Sequence, residues 1–219
     1  MIKDLSANQK LIELTQTPES TRSPAWEAQF FQALTSANLE LLTADPQQGP
    51  DGWPYLLAKT SEEASEPAQK MIQWLAQKGM GLVVNPHKDY PDYVFSYGML
   101  WSFKESGFFF RETEVKKEGA VEFDLKSIQH AGTPTEQYLP IYVRQILREF
   151  FRDQGVLAPK ILVLSQDRVN YELAFSLDSL GNPPDHEHAG VAEAIGWFLP
   201  PHYTLVLVSE SGMPPFSDL

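Results

Sequence analysis

The stretch Ile161-Leu162-Val163-Leu164-Ser165-Gln166-Asp167-Arg168-Val169-Asn170-Tyr171-Glu172-Leu173-Ala174-Phe175-Ser176-Leu177 decides the fold class. Its first four residues are an apolar run of strand length, and Asp167 to Asn170 can turn the chain back. Tyr171, Leu173, Phe175 and Leu177 then alternate with Glu172, Ala174, Ser176 and Asp178, the period of a half-buried strand. Helical patterns flank this pair. Upstream, Val143, Ile146, Leu147 and Phe150 mark one face. Downstream, after the break at Gly181-Asn182-Pro183-Pro184, Val191, Ala194, Ile195 and Phe198 mark another. Pro200-Pro201 stops that helix, Leu205 to Val208 reads as a last strand, and Gly212 to Leu219 as an irregular tail. Residues 138–219 thus read helix, strand, strand, helix, strand.

Further upstream, Gln129 to Gln137, with Gly132, Thr133 and Pro134, reads as a linker. Residues 24–128 form an earlier unit on a similar plan. Ser23 is placed to cap a helix that Pro24 opens, with Trp26, Phe30, Phe31 and Leu34 at helical spacing. Short strands follow at Leu39 to Leu42 and Tyr55 to Ala58. Pro67 opens a second helix with Met71, Ile72 and Leu75 inside, Trp74 flanking and Gly79 as its stop. Gly81 to Val84 is a strand ended by Asn85-Pro86. Tyr93, Phe95, Tyr97, Met99, Trp101 and Phe103 alternate with other residues and predict one long strand, returning through Ser106-Gly107 into Phe108-Phe109-Phe110. Thr113 to Ser127 reads as strand and loop at an edge. Residues 1–23 read as a polar lead-in, with a helical turn over Asn8 to Leu14. The expected class is α+β: two small helix-on-sheet domains, or one continuous mixed sheet.

Of 219 residues, 42% are hydrophobic and 12% aromatic, enough for a real core and against disorder. The formal net charge of −12 repels phosphate backbones and anionic lipid heads, so neither nucleic acid nor a membrane is the expected partner. The chain has no cysteine, which removes disulfides, thiolate nucleophiles and Cys-ligated zinc. The N-terminus lacks the apolar core of a signal peptide and no stretch reaches membrane-spanning length, so a cytoplasmic protein is expected.

Chemistry-bearing motifs are sparse. Asp185-His186-Glu187-His188 could bind metal or move protons. Its place before a helical pattern fits a helix N-terminus instead, with Asp185 as cap and Glu187 at the positive end. On a helix, His186 and His188 lie about 200° apart and do not share an ion easily. His87, His130 and His202 fall in loops. Val94-Phe95-Ser96-Tyr97-Gly98 carries half of a nucleophile elbow inside a strand pattern, Gly79-Met80-Gly81 precedes a strand where a dinucleotide fingerprint would follow one, and no P-loop occurs. Glu62 with Glu63, and Glu112 with Glu114, sit in polar runs typical of solvated surface. The aromatic segment 90–110 holds more rings than two strands bury readily. Tyr93, Tyr97, Trp101 and Phe108 are therefore the candidate recognition surface.

In order, four stretches resemble the SseB family, named for enhanced serine sensitivity. They are Pro24-Ala25-Trp26 through Leu34 with its following strand; Trp53 to Ser61; Gly79 to Pro86; and the C-terminal unit with Phe198-Leu199-Pro200-Pro201 before its last strand. Pro215-Phe216 also resembles a Pro-Phe near that family's C-terminus. Ala58-Lys59 stands where the family often has Phe before Thr-Ser, and the 93–110 segment has no counterpart. The resemblance implies a bacterial cytosolic protein with an N- and a C-terminal domain and no established catalytic residues. The reading is a non-catalytic binding or regulatory protein with no cofactor, whose partner is another protein. The alternatives are a metal-dependent hydrolase using Asp185, His186 and His188, and an acidic immunity or antitoxin-type protein.

Overall fold

The computed structural model describes residues 5–111 and 127–219. The chain is an α+β protein that divides into two compact units, Met1–Phe109 and Phe110–Leu219. Each has its own mixed sheet: among the described residues the strands form these two sheets in place of a single continuous one.

In the first unit the helices are α1 (Ala7–Thr15), α2 (Pro24–Ser36), α3 (Ala68–Ala76) and α4 (Tyr97–Ser106). The strands are β1 (Asn38–Leu41), β2 (Gln47–Gln48), β3 (Pro54–Lys59), β4 (Glu66–Pro67), β5 (Gly81–Val84) and β6 (Tyr93–Phe95). Strand order is β4-β1-β3-β5-β6, with β2 also on β3. Strands β3 and β5 are parallel, Leu56 opposite Leu82 and Ala58 opposite Val84, and α3 carries the crossover between them. All four residues of β5 are buried, as a strand covered on both faces requires. Gly81 is dictated by its neighbour, because a Cβ there would sit 2.5 Å from the Tyr55 ring.

The lead-in is not loose. Ser6 and Gln9 form a capping box that starts α1, Leu11 is fully buried, and Trp26 Nε1 donates to the Leu14 carbonyl at 3.0 Å. A polar knot then ties this segment to the far ends of the parallel strands. Arg22 donates to the Thr17 carbonyl and to both the carbonyl and carboxylate of Asp92. Lys88 reaches the Thr15 carbonyl and Asp92, and Asn85 bridges Asp92 to Thr60. Asn85 does this from the left-handed region, at φ 56°.

The long aromatic strand is a correction. The strand ends at Phe95. Ser96 accepts from the Met99 amide as a helix cap, and Gly107, at φ 77°, closes α4 after Ser106. Tyr97, Leu100 and Trp101 recur at helical spacing, and α4 packs on α3. Caps at both ends and a continuous buried face outweigh the strand preference of aromatic residues. Phe108 to Phe110 form no strand either; Phe109 turns into a cluster with Phe31, Phe95 and Phe103. The edge reading of Thr113 to Ser127 falls outside the described residues except at Ser127.

The second unit contains α5 (Ile141–Asp153) and α6 (His188–Trp197). Its strands are β7 (His130–Gly132), β8 (Lys160–Ser165), β9 (Glu172–Ser176), β10 (Thr204–Val208) and β11 (Ser217–Asp218). The order is β10-β9-β8-β11, with β7 also on β8. The β8–β9 hairpin forms as read, Val163 opposite Leu173 and Ile161 opposite Phe175. Two segments read as irregular are in fact strands. Part of the expected linker is β7, paired along Ser165 to Val163, and the tail ends in β11 with Leu219 buried. Each is too short to show a period, and pairing with β8 is what orders it.

Candidate functional site

The expected aromatic surface does not assemble. Tyr97 is 0% and Trp101 3% exposed, inside the α3–α4 packing. Tyr93 stacks on Phe30 and donates to Glu27 Oε1 at 2.6 Å. Burial, then the Glu27 carboxylate, push its phenol well above the ordinary range. Phe108 alone of the four is exposed, at 62%. Turning the segment into a helix after Ser96 directs two of the four rings inward.

The Asp185–His188 cluster also separates. Asp185 to Glu187 form one 3-10 turn leading into α6. Asp185 makes no capping bond there, so its expected role is not realised. His186 points to solvent, 3.7 Å from Glu187, while His188 folds back with Nε2 2.8 Å from the Pro183 carbonyl. Among the described residues no group of three or more His, Asp or Glu is placed to hold a metal ion.

This turn nevertheless lies on the rim of a groove of about 530 Å³. Its walls come from Phe150 and Phe151 of α5 with the capping Gln154, and from Gly190, Val191, Ala194 and Ile195 of α6; Val156, Leu180 and Pro183 close its end. Local sequence explains the shape. Helix α5 is strongly amphipathic and buries Val143, Leu147 and Phe151 on the sheet, where Phe151 meets Phe175 at 5.7 Å. Gly155, at φ 82°, stops it, and the Val156 amide returns to the Phe151 carbonyl at 2.8 Å, so Val156 folds back beneath the helix end. Left-handed Gly181 and Asn182 turn the chain past Leu180 on the other side.

Helix α6 is apolar along its length, yet Ile195 is its one fully buried residue. Its groove-facing positions are Gly190, Val191, Ala194 and Ile195, which repeat at i, i+1, i+4 and i+5 along one strip of the helix. At Gly190 and Gly196 a Cβ would meet nothing within 4 Å. They stand in the first and last turns of α6, and nothing in the described chain packs against them.

The volume falls in the range of ligand sites, the lining is mostly apolar, and Gln154, His186 and Glu187 supply the polar groups. Such a site holds an apolar partner by desolvation. It places no nucleophile beside a base and assembles no oxyanion donors. Sequence reading took Val191, Ala194 and Ile195 for core and missed the groove. The glycines inside that helical pattern were the available signal.

A second polar cluster lies at the start of β9. Tyr138 and Tyr203 stack at 4.7 Å, and Tyr203 donates to the Tyr138 carbonyl. Tyr138 Oη and Glu172 Oε2 are buried without a hydrogen-bond partner. Burial, and then the charge of Asp167, raise the Glu172 carboxyl; burial pushes Tyr203 up to about 12.

No family model matches the chain, and neither curated proteins nor solved structures give a match. No helix among the described residues is long and apolar enough to cross a membrane.

Proposed function

We propose that the protein is a non-catalytic binding or regulatory protein whose ligand sits in the groove between α5 and α6. The observation that carries this reading is the groove itself: an apolar trough walled by two helices, in which Val191 and Ala194 of α6 are only half-buried. The SseB-like order of motifs supports the same reading, since that resemblance implies a role without established catalytic residues. A metal-dependent hydrolase finds no support in the splayed Asp185, His186 and His188.

The test is titration with Nile red, a neutral dye that fluoresces in apolar sites. The wild type should show saturable binding that Gly190→Leu and Ala194→Leu abolish, because both leucines fill the trough. Dye binding unchanged in the two folded variants would refute the assignment.

A further inference from the structure

We infer that the occupant of this groove is a basic amphipathic helix of a partner protein. The inference rests on the groove being the binding site, as proposed above.

The first argument is charge. After Arg168 the chain carries Glu172, Asp178, Asp185, Glu187, Glu193, Glu210 and Asp218, and no Lys or Arg. On the α6 side Glu187 lines the groove itself, and Asp185, Glu187 and Glu193 are all exposed with no Lys or Arg among them. The α5 wall is mixed, with Arg148 and Arg152 beside Glu149 and Asp153. A ligand seated here meets apolar side chains below and negative potential along one long edge. Complementarity requires apolar residues on its inner face and cations on the flank toward α6.

The second argument is shape. From Glu187 to Ile195 the lining runs about 12 Å along the α6 axis, two turns of a docked helix. Gly190 and Ala194, one turn apart, project almost nothing, so another backbone can approach α6 closely between Val191 and Ile195. An extended peptide is the poorer fit, because the trough is walled by helices whose backbone groups are already paired. A second copy would bring one acidic α6 wall toward another. Anionic lipid and nucleic acid are repelled by the same carboxylates.

The experiment uses the full chain and three fluorescein-labelled peptides: leucine and lysine at helical spacing, the same peptide with glutamate for lysine, and a scramble of the first. Anisotropy should show saturable binding of the lysine peptide alone, competition with Nile red, and at least about tenfold weaker binding by Gly190→Leu, Ala194→Leu and Glu187→Lys. Circular dichroism confirms that each variant is folded. Raising the salt to about 1 M, where the Debye length is about 3 Å, should weaken binding without releasing Nile red.

Four outcomes overturn the inference. If the leucine variants bind the peptide as the wild type does, the attraction is adventitious charge. If the glutamate peptide or the scramble binds equally well, or Nile red is not displaced, the groove takes an apolar ligand of another kind while its assignment as the site stands. If sedimentation shows self-association that Gly190→Leu abolishes, the occupant is a second copy. Loss of Nile red binding in the wild type removes the site and the inference together.

Discussion

Arg22 and Asp92, seventy positions apart, meet twice: Arg22 Nη2 lies 2.5 Å from Asp92 Oδ1, and Nη1 donates to the Asp92 carbonyl at 2.9 Å. The Asp92 side chain is almost wholly buried, and Lys88 and Asn85 occupy its other oxygen at 2.6 Å each. The knot is therefore satisfied only when all members are present. Removing one partner of a buried pair leaves a desolvated charge uncompensated, at a cost of about 3–5 kcal/mol. Asp92→Ala should lose that much stability in urea denaturation. Arg22 also lies 4.3 Å over the Trp26 ring, so Trp26 fluorescence reports the site. A loss below about 1 kcal/mol would show that the knot contributes little. In a double-mutant cycle, Arg22→Met and Asp92→Ala should be strongly non-additive.

The rings of segment 93–110 separate two accounts of its role. Trp101→Ala opens a cavity in the core of the first unit and should cost about 3–5 kcal/mol, read as a fall in melting temperature. Phe108→Ala, on an exposed ring, should stay within about 0.5 kcal/mol. Equal, small effects would restore the surface reading.

How far the sequence carried is clearest at this segment. The elements with strong local signatures were legible: Ser23-Pro24 starting α2, the buried stripe of α3, and the β8–β9 hairpin. What failed was period assignment in a run rich in aromatics. Tyr97, Met99, Trp101 and Phe103 satisfy alternation, while Tyr97, Leu100 and Trp101 satisfy a helix. Ser96 and Gly107 decide between them as the caps of α4, where the sequence reading had Ser96 inside a strand and Ser106-Gly107 as a turn between strands. The edge strands β7 and β11 are of another kind, since two or three residues acquire strand character only from the neighbour they pair with. The groove was illegible for a third reason. Periodicity says which face of α6 is apolar, but not whether the rest of the chain covers it.

One substitution at two glycines should act with opposite sign. Neither Gly107 nor Gly190 has an atom within 4 Å of where a Cβ would stand, so packing drops out of the comparison. Gly107 ends α4 at φ 77°, where an L side chain costs about 1–2 kcal/mol, and Gly107→Ala should destabilise by that amount. Gly190 lies inside α6, and Gly190→Ala should stabilise by about 0.5–1 kcal/mol. Differential scanning calorimetry of the pair checks both signs. If Gly190→Ala is destabilising, the helix there is not free of neighbours.

The pH dependence of stability should carry two opposed contributions from one hairpin. Asp167 accepts from the amides of Val169 and Asn170 at 2.8 Å, and these bonds hold its carboxyl at about 2. Its stabilisation is present above its unfolded value of about 3.9 and is lost as pH falls toward 2. Asp178 and Glu210, lowered by bonds to the Glu210 amide and to Ser176 respectively, act in the same direction. Glu172 has the reverse sign. Its folded carboxyl is raised, so the native state holds the proton more tightly, and stability is lost as pH rises through that raised value. One Glu172 oxygen is buried and unpartnered. Glu172→Gln should raise the neutral-pH melting temperature and flatten the loss above pH about 4.3, leaving the acid limb unchanged. Asp167→Asn should flatten the acid limb instead. A Glu172→Gln protein less stable than wild type at pH about 7 would mean that Oε2 does have a partner in solution, with Tyr138 Oη, itself buried and unpartnered, a candidate donor to examine by the same substitution in a Tyr138→Phe background.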